Sequence, residues 1–263
     1  MRTPPLLAAA ALFAAAAPHA AAAQPDSIDV AAVGSWSYTG PTGPAFWASR
    51  LGYAECAGPR QSPVNLPADP TSDPLPVTLN YPATSPAVLV NTGHTVDLIL
   101  EKPPTPATLT VADTTFTLRE VHFHVPSEHT VQGQRFAGEI HAVHLYGGAG
   151  AVLTTFIVVG GRNRAWDDVI AAMPGNRLDK NEVGAIDLTA FMALQNLRQE
   201  ELYSYAGSLT TPACTPNIRF LIRARPIALS VEQIEALASA FARNVRPRST
   251  QPTPITLHRG ARP

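Results

Sequence analysis

Charge of either sign is sparse in this chain, and lysine is nearly missing. Lysine and arginine total 19 against 20 aspartates and glutamates in 263 residues, a formal net charge of −1. A balance this even, with no basic stripe, excludes a nucleic-acid partner. The only lysines are Lys102 and Lys180, a trait of composition to which no function attaches. Long apolar runs are also absent. The longest, Leu6 to Ala17, has twelve residues, short of the roughly 20 a bilayer-spanning helix needs. No membrane partner is therefore expected. There is no internal repeat, no linker suited to a domain boundary, and cysteine is confined to two positions.

What is present begins with an address. Arg2 is the only charged side chain before Asp26, the apolar run follows it, and Ala20 to Ala23 supply small residues suited to a signal peptidase. Residues 1–23 are read as a signal peptide and residues 24–263 as one domain. Removing 23 of 263 residues leaves 240, with 18 basic against 20 acidic side chains. Export is expected, to a periplasm or out of the cell. In that setting Cys56 and Cys214 are read as a disulfide rather than two free thiols. Such a bridge closes a loop of about 158 residues, a constraint that chain entropy values at roughly 4–5 kcal/mol.

Six segments alternate in the manner of strands: Ala87–Val90, Thr95–Leu100, Thr108–Val111, Thr115–Val125, Glu139–Tyr146 and Ala151–Val159. Trp166, Val169, Ile170 and Met173 follow helical spacing up to Pro174-Gly175. Ser230 and Gln233 form a capping box before a second helical stretch. Arg177 to Tyr205 is mixed and stays unassigned. The tail from Arg248 is expected to pack as an irregular strap or to fray. The fold class is mainly β with some α: a single domain around a large, twisted, mostly antiparallel sheet, with a few short peripheral helices.

Five of eight histidines fall between residues 122 and 144. Alternation along a strand puts Glu120, His122 and His124 on one side and Val121 and Phe123 on the other. The same rule groups Glu139, His141 and Val143. If the two strands are neighbours, three imidazoles converge. Three imidazoles leave one tetrahedral position of a metal open, as a catalytic zinc site does. Glu120 and Glu139 are placed to hold the remaining ring nitrogens.

These residues carry a resemblance. Val121-His122-Phe123-His124-Val125-Pro126-Ser127-Glu128-His129-Thr130, Glu139-Ile140-His141-Ala142-Val143-His144 and Tyr205-Ala206-Gly207-Ser208-Leu209-Thr210-Thr211-Pro212 resemble, in order, three motifs of the α-class carbonic anhydrases of the bacterial, exported type. Trp36-Ser37-Tyr38, Gln61-Ser62-Pro63-Val64-Asn65, Asn91-Thr92-Gly93-His94 and Asn244-Val245-Arg246-Pro247 extend the likeness over nearly the whole domain. The resemblance implies a zinc enzyme that interconverts carbon dioxide and bicarbonate. His122, His124 and His141 would bind Zn2+, with Glu120, Glu139 and Asn244 supporting them. Thr210 and Glu128 would orient the attacking hydroxide. Val143, Val152, Leu209 and Phe220, with Thr210 and Thr211, would receive the substrate, and His94 would shuttle the proton. His129 and His144 are expected to be structural. Monomer and homodimer both remain open.

The departures are Glu120 for the family's usual Gln, Ala213 for a second Pro and Phe220 for a Trp. None removes a catalytic group. Two other readings use the same residues: a zinc-binding relative without turnover, and a zinc hydrolase of esters.

Overall fold

The computed structural model describes residues 36–68 and 75–260; the expected signal peptide and its cleavage site lie outside them. The strands among these residues are β1 (Asn65–Leu66), β2 (Val77–Asn80), β3 (Ser85–Asn91), β4 (Val96–Leu100), β5 (Thr108–Val111), β6 (Thr114–His124), β7 (Thr130–Val131), β8 (Gly138–Tyr146), β9 (Ala149–Val159), β10 (Lys180–Ile186), β11 (Leu202–Ser208), β12 (Pro216–Arg223), β13 (Ile227–Leu229) and β14 (Thr256–His258). Twelve of them form one sheet, in the order β10-β3-β4-β6-β8-β9-β12-β11-β14, with β5 on β6, β2 on β5 and β13 on β9. Most pairs are antiparallel, as expected; β12 and β13 run parallel to β9. The helices are short: α1 (Asp167–Ala171), α2 (Leu188–Phe191) and α3 (Val231–Ser239).

All six segments read from alternation are strands, β3 to β6, β8 and β9. The Ser230 capping box is also there: the Gln233 amide donates to Ser230 Oγ and the Ser230 amide to Gln233 Oε1, both at 3.3 Å. The unassigned stretch holds β10, α2 and the start of β11. β10 is an edge strand exposed along most of its length, so it carries little alternation to read. α2 spans one turn, too short for a helical period. The tail is less irregular than expected, because Thr256–His258 adds β14 to the edge of β11.

The sheet buries both faces, and the two are different. One face packs Leu98, Val121, Phe123, Ile140 and Leu153 against Trp166, Phe191 and α3. Burying each such side chain contributes about 1.5–3 kcal/mol, and Trp166 stacks on Phe191 at 4.3 Å between centroids. The other face carries Val143, Val152, Phe156, Tyr205, Phe220 and Ile222, and beside them the histidines. A third cluster joins Trp47 to Cys56 and Cys214. No helix among the described residues is long and apolar enough to cross a membrane.

Cys56 and Cys214 are bonded, across 158 residues of sequence. The bridge ties the segment before β1 to the loop after β11. Replacing Cys214 by Ser is expected to destabilise the fold by about 2–5 kcal/mol, read as a lower urea midpoint. The denatured, unreduced native chain should titrate no free thiol.

Candidate active site

Register across the sheet assembles the site. Asp97 on β4 faces His122 on β6, His122 faces His141 on β8, and His141 faces Thr154 on β9. The row continues through Ile222 on β12 to Tyr203 on β11. The adjoining row is Glu120, Val143, Val152, Phe220 and Tyr205. The first row runs from acid and imidazole, and the second from acid alone, to hydrocarbon and aromatic side chains. The faces assigned by alternation are therefore those the sheet builds, although β6 and β8 shift register between Leu118 and Glu120.

The rings of His122, His124 and His141 stand 4.6–5.1 Å apart between centroids. One nitrogen from each lies within 4.8 Å of the others. The second nitrogen of each is occupied. His124 Nδ1 meets the Asn244 carbonyl at 2.7 Å, and His141 Nε2 meets Glu139 Oε1 at 2.7 Å. His122 Nδ1 is 3.4 Å from Glu120 Oε1. Asn244 also donates its side-chain amide to the Phe123 carbonyl at 2.7 Å and accepts from the Val125 amide at 3.2 Å. Glu120, Glu139 and the Asn244 carbonyl thus each meet one ring nitrogen of the cluster.

His129, Glu139 and His141 form a second grouping of metal-ligand type. It is already saturated. His129 Nδ1 meets Glu139 Oε1 and its Nε2 meets the Tyr205 hydroxyl, each at 2.6 Å. Glu139 Oε2 accepts from the amides of Glu128 and His129, each at 2.8 Å. His144 is likewise structural, between the Tyr81 hydroxyl at 2.7 Å and the Ala151 carbonyl at 3.2 Å.

Burial sets the protonation of the cluster. It holds His124 well below the usual imidazole range, helped by His141 and His122, and it brings His141 down to about 4. Burial acts the same way on His122, but Glu120, Asp97 and Glu128 outweigh it and raise that residue. Burial alone would raise Glu139; its two histidine partners hold it well below the carboxylate range instead. Glu128 has no such pair. Burial pushes it up to about 8, against the pull of the Thr210 hydroxyl and the Arg246 amide, the latter 2.8 Å from Oε1.

His94 sits apart from the cluster, in the turn between β3 and β4. Its ring stacks on Trp36 at 3.6 Å between centroids, and Nε2 meets the Trp36 carbonyl at 2.8 Å. Nδ1 is buried and unpartnered. The expected substrate residues gather on the apolar side: Val143, Val152 and Phe220 are buried in one cluster, with Leu209 packed on it. Thr211 is half-buried next to Thr210, in a loop closed by Cys214 N–H to the Thr211 carbonyl at 2.7 Å.

Three residues of the site had no role in the sequence reading. Asp97 is buried beside His122 and Glu120, and its carboxyl is raised by burial first and by the Glu120 charge second. Its signal was a lone acid in an apolar strand. Tyr38 places a hydroxyl with no partner near Glu128 and Asp97. Arg246 is buried, donating to the Ser62 and Cys56 carbonyls and to Gln61 Oε1 at 2.8–3.1 Å.

A sequence model of eukaryotic-type carbonic anhydrases matches residues 42–263. The chain belongs to the α-class carbonic anhydrases. It is 34% identical over 210 residues to a carbonic anhydrase of Klebsiella pneumoniae, covering 78% of this chain and 83% of the relative. It is 33% identical over 222 residues to a carbonic anhydrase of a Nostoc strain, covering 81% of each. Among solved structures, the α-carbonic anhydrase of Thermovibrio ammonificans in complex with the inhibitor sulfanilamide superposes with a TM-score of 0.76 at 31% identity, covering 85% of this chain and 98% of that one. In this carbonic anhydrase, Phe220 fills the place of the expected Trp by stacking on Tyr205 at 5.0 Å, with its ring 5.0 Å from His129 and 5.8 Å from His141.

Removing Glu139 would strand two amides and two imidazoles in the interior. Glu139→Ala is expected to cost roughly 3–5 kcal/mol in the metal-free carbonic anhydrase, measured by urea unfolding. Glu120→Ala, at a partly exposed pair, should cost about 1 kcal/mol or less.

Proposed function

We propose that this carbonic anhydrase hydrates carbon dioxide reversibly at a zinc ion held by His122, His124 and His141, with His94 carrying the released proton. One observation supports this above the rest. Three imidazoles turn one nitrogen each toward a common point while a fixed acceptor holds the other. That is the donor set of a catalytic zinc site with one open position. His124 Nε2 fits it further, being fully buried with no hydrogen-bond partner, its nearest acid oxygen being Glu128 Oε2 at 3.4 Å, a state that costs about 1–3 kcal/mol unless something takes up its lone pair.

Zinc would supply a Lewis acid that makes water a usable nucleophile, a chemistry of which carbonic anhydrases are themselves the standard example. The chain supplies the orientation. Thr210 accepts the nucleophile's own proton in a hydrogen bond and directs its hydroxyl proton to Glu128, which turns a lone pair toward the substrate. Glu128 must be ionised for this. Thr210 and the Arg246 amide favour that form, and the charge of a zinc ion held by the three histidines would favour it further. Carbon dioxide carries no charge, and Val143, Val152, Leu209 and Phe220 offer it an apolar wall, with Thr211 at the rim. His94 engages Trp36 through Nε2, leaving Nδ1 as the acceptor. A leader-like N-terminus and the Cys56–Cys214 bridge support a site of action in an oxidising compartment, periplasmic or extracellular.

Stopped-flow hydration of carbon dioxide tests the reading. Chelation should abolish activity and added zinc restore it, and His124→Ala should hold far less than one zinc per chain by elemental analysis. A zinc-loaded wild-type protein without activity would overturn the proposal.

The proton path is tested separately. In weak buffer His94→Ala should lower the steady-state rate by on the order of 10²-fold, and imidazole buffer should restore much of it. Thr210→Ala should be slow in any buffer. Equal rescue of both variants would remove His94 from the path.

A further inference from the structure

Arg177 lies beside the His94 turn for reasons that can be traced bond by bond. Asn91, at the end of β3, is buried and ties three segments together. Its side-chain amide donates to the Pro174 carbonyl at 3.1 Å and the Ala240 carbonyl at 3.0 Å, and its Oδ1 accepts from the Gly93 amide at 2.8 Å. Its backbone carbonyl accepts from Leu178 at 2.7 Å, and its amide donates to the Asp179 carbonyl at 3.0 Å. The loop after α1 is thus clamped onto the turn that carries His94.

Gly93 completes the arrangement. Its φ of +85° suits glycine, and the Arg177 stem fills the space a side chain would take. A Cβ at Gly93 would come within 2.7 Å of Arg177 Cδ and 3.1 Å of Nε. Arg177 is itself exposed. Among the described residues it forms no ion pair, unlike Arg162, Lys180 and Arg223. A fixed positive charge without a counter-ion therefore lies against the residue preceding His94.

We infer that Arg177 is a positioning residue for the proton path, its guanidinium laid across Gly93 so that His94 works from its neutral form. This rests on the shuttle reading of His94. A cationic neighbour repels a second positive charge on the imidazole, so His94 is ready to accept a proton at neutral pH and releases it readily to buffer. The other groups around the ring do not duplicate this. Trp36 offers its carbonyl, which favours the charged imidazole; Tyr38 faces the ring at 6.4 Å with its hydroxyl kept neutral by burial; and Thr92 meets only the His94 backbone. Asp97, three residues on, bears on Tyr38 and His122. The balance agrees: burial lowers the His94 pKa most, the Trp36 carbonyl opposes it, and Arg177 lowers it again.

The test uses the zinc-loaded protein and NMR titration of the His94 ring, assigned by its loss in His94→Ala. Arg177→Ala should raise the midpoint by a few tenths of a pH unit, and Arg177→Lys should return it toward the wild-type value. Raising ionic strength to about 0.5 M should shrink the difference, since an exposed charge is screened. The acid limb of the rate in weak buffer should move to higher pH in the Ala variant only. An unchanged midpoint in Arg177→Ala, or an equal shift in Arg177→Lys, would overturn the inference. The ring is read directly, so this outcome is independent of whether His94 carries protons, which imidazole rescue decides.

Discussion

Two backbone amides and two imidazoles converge on the carboxylate of Glu139, which lies in the sheet with no exposed surface. An ion in such a place is tolerated only when its lone pairs are met, and meeting them dictates much of the site. The chain between β6 and β8 must fold back so that the amides of Glu128 and His129 reach Oε2. His141 is held by one nitrogen and left free at the other. His129 passes the network to Tyr205, which donates to Ser62 at 2.8 Å, and Ser62 Oγ in turn accepts from the Ser208 amide at 3.2 Å. The histidine cluster and the loop that carries Thr210 therefore share one set of hydrogen bonds.

The sheet does a second job through its register. Because each strand sets alternate side chains on alternate faces, one face can be mostly apolar while the other changes character across its width. Asp97, His122 and His141 give way to Ile222 and Tyr203 along a single row. A reaction between an apolar gas and a polar nucleophile, followed by proton release, needs both environments within a few ångströms. Crossing strands of fixed register bring them together without any loop having to move.

Much of this could be read from the chain. Alternation gave the faces of β6 and β8 because both lie at the centre of the sheet, where burial enforces the pattern, and the motifs around His122, Glu128 and Thr210 are dense enough to stand out. What escaped the reading has physical reasons. β10 and β14 sit at edges, where solvent relaxes the choice of residue. Asp97 is part of the site only because β4 lies next to β6, and pairing between those strands is invisible in one sequence. Tyr38 and Arg246 reach Glu128 from distant parts of the chain, and Arg177 is placed by the Asn91 clamp rather than by any pattern of its own.

The Asn244 carbonyl on His124 and the Arg246 amide on Glu128 close the site from the far end of the chain, 120 and 118 positions away. A ribosome delivers residues in order, so a chain that has emerged only as far as β12 already owns all three histidines of the cluster but lacks the carbonyl that holds His124 and the amide that meets Glu128. The nascent protein consequently cannot complete the hydrogen bonds of the cluster until almost all of it has been delivered, and the ordered site and the finished molecule arrive together.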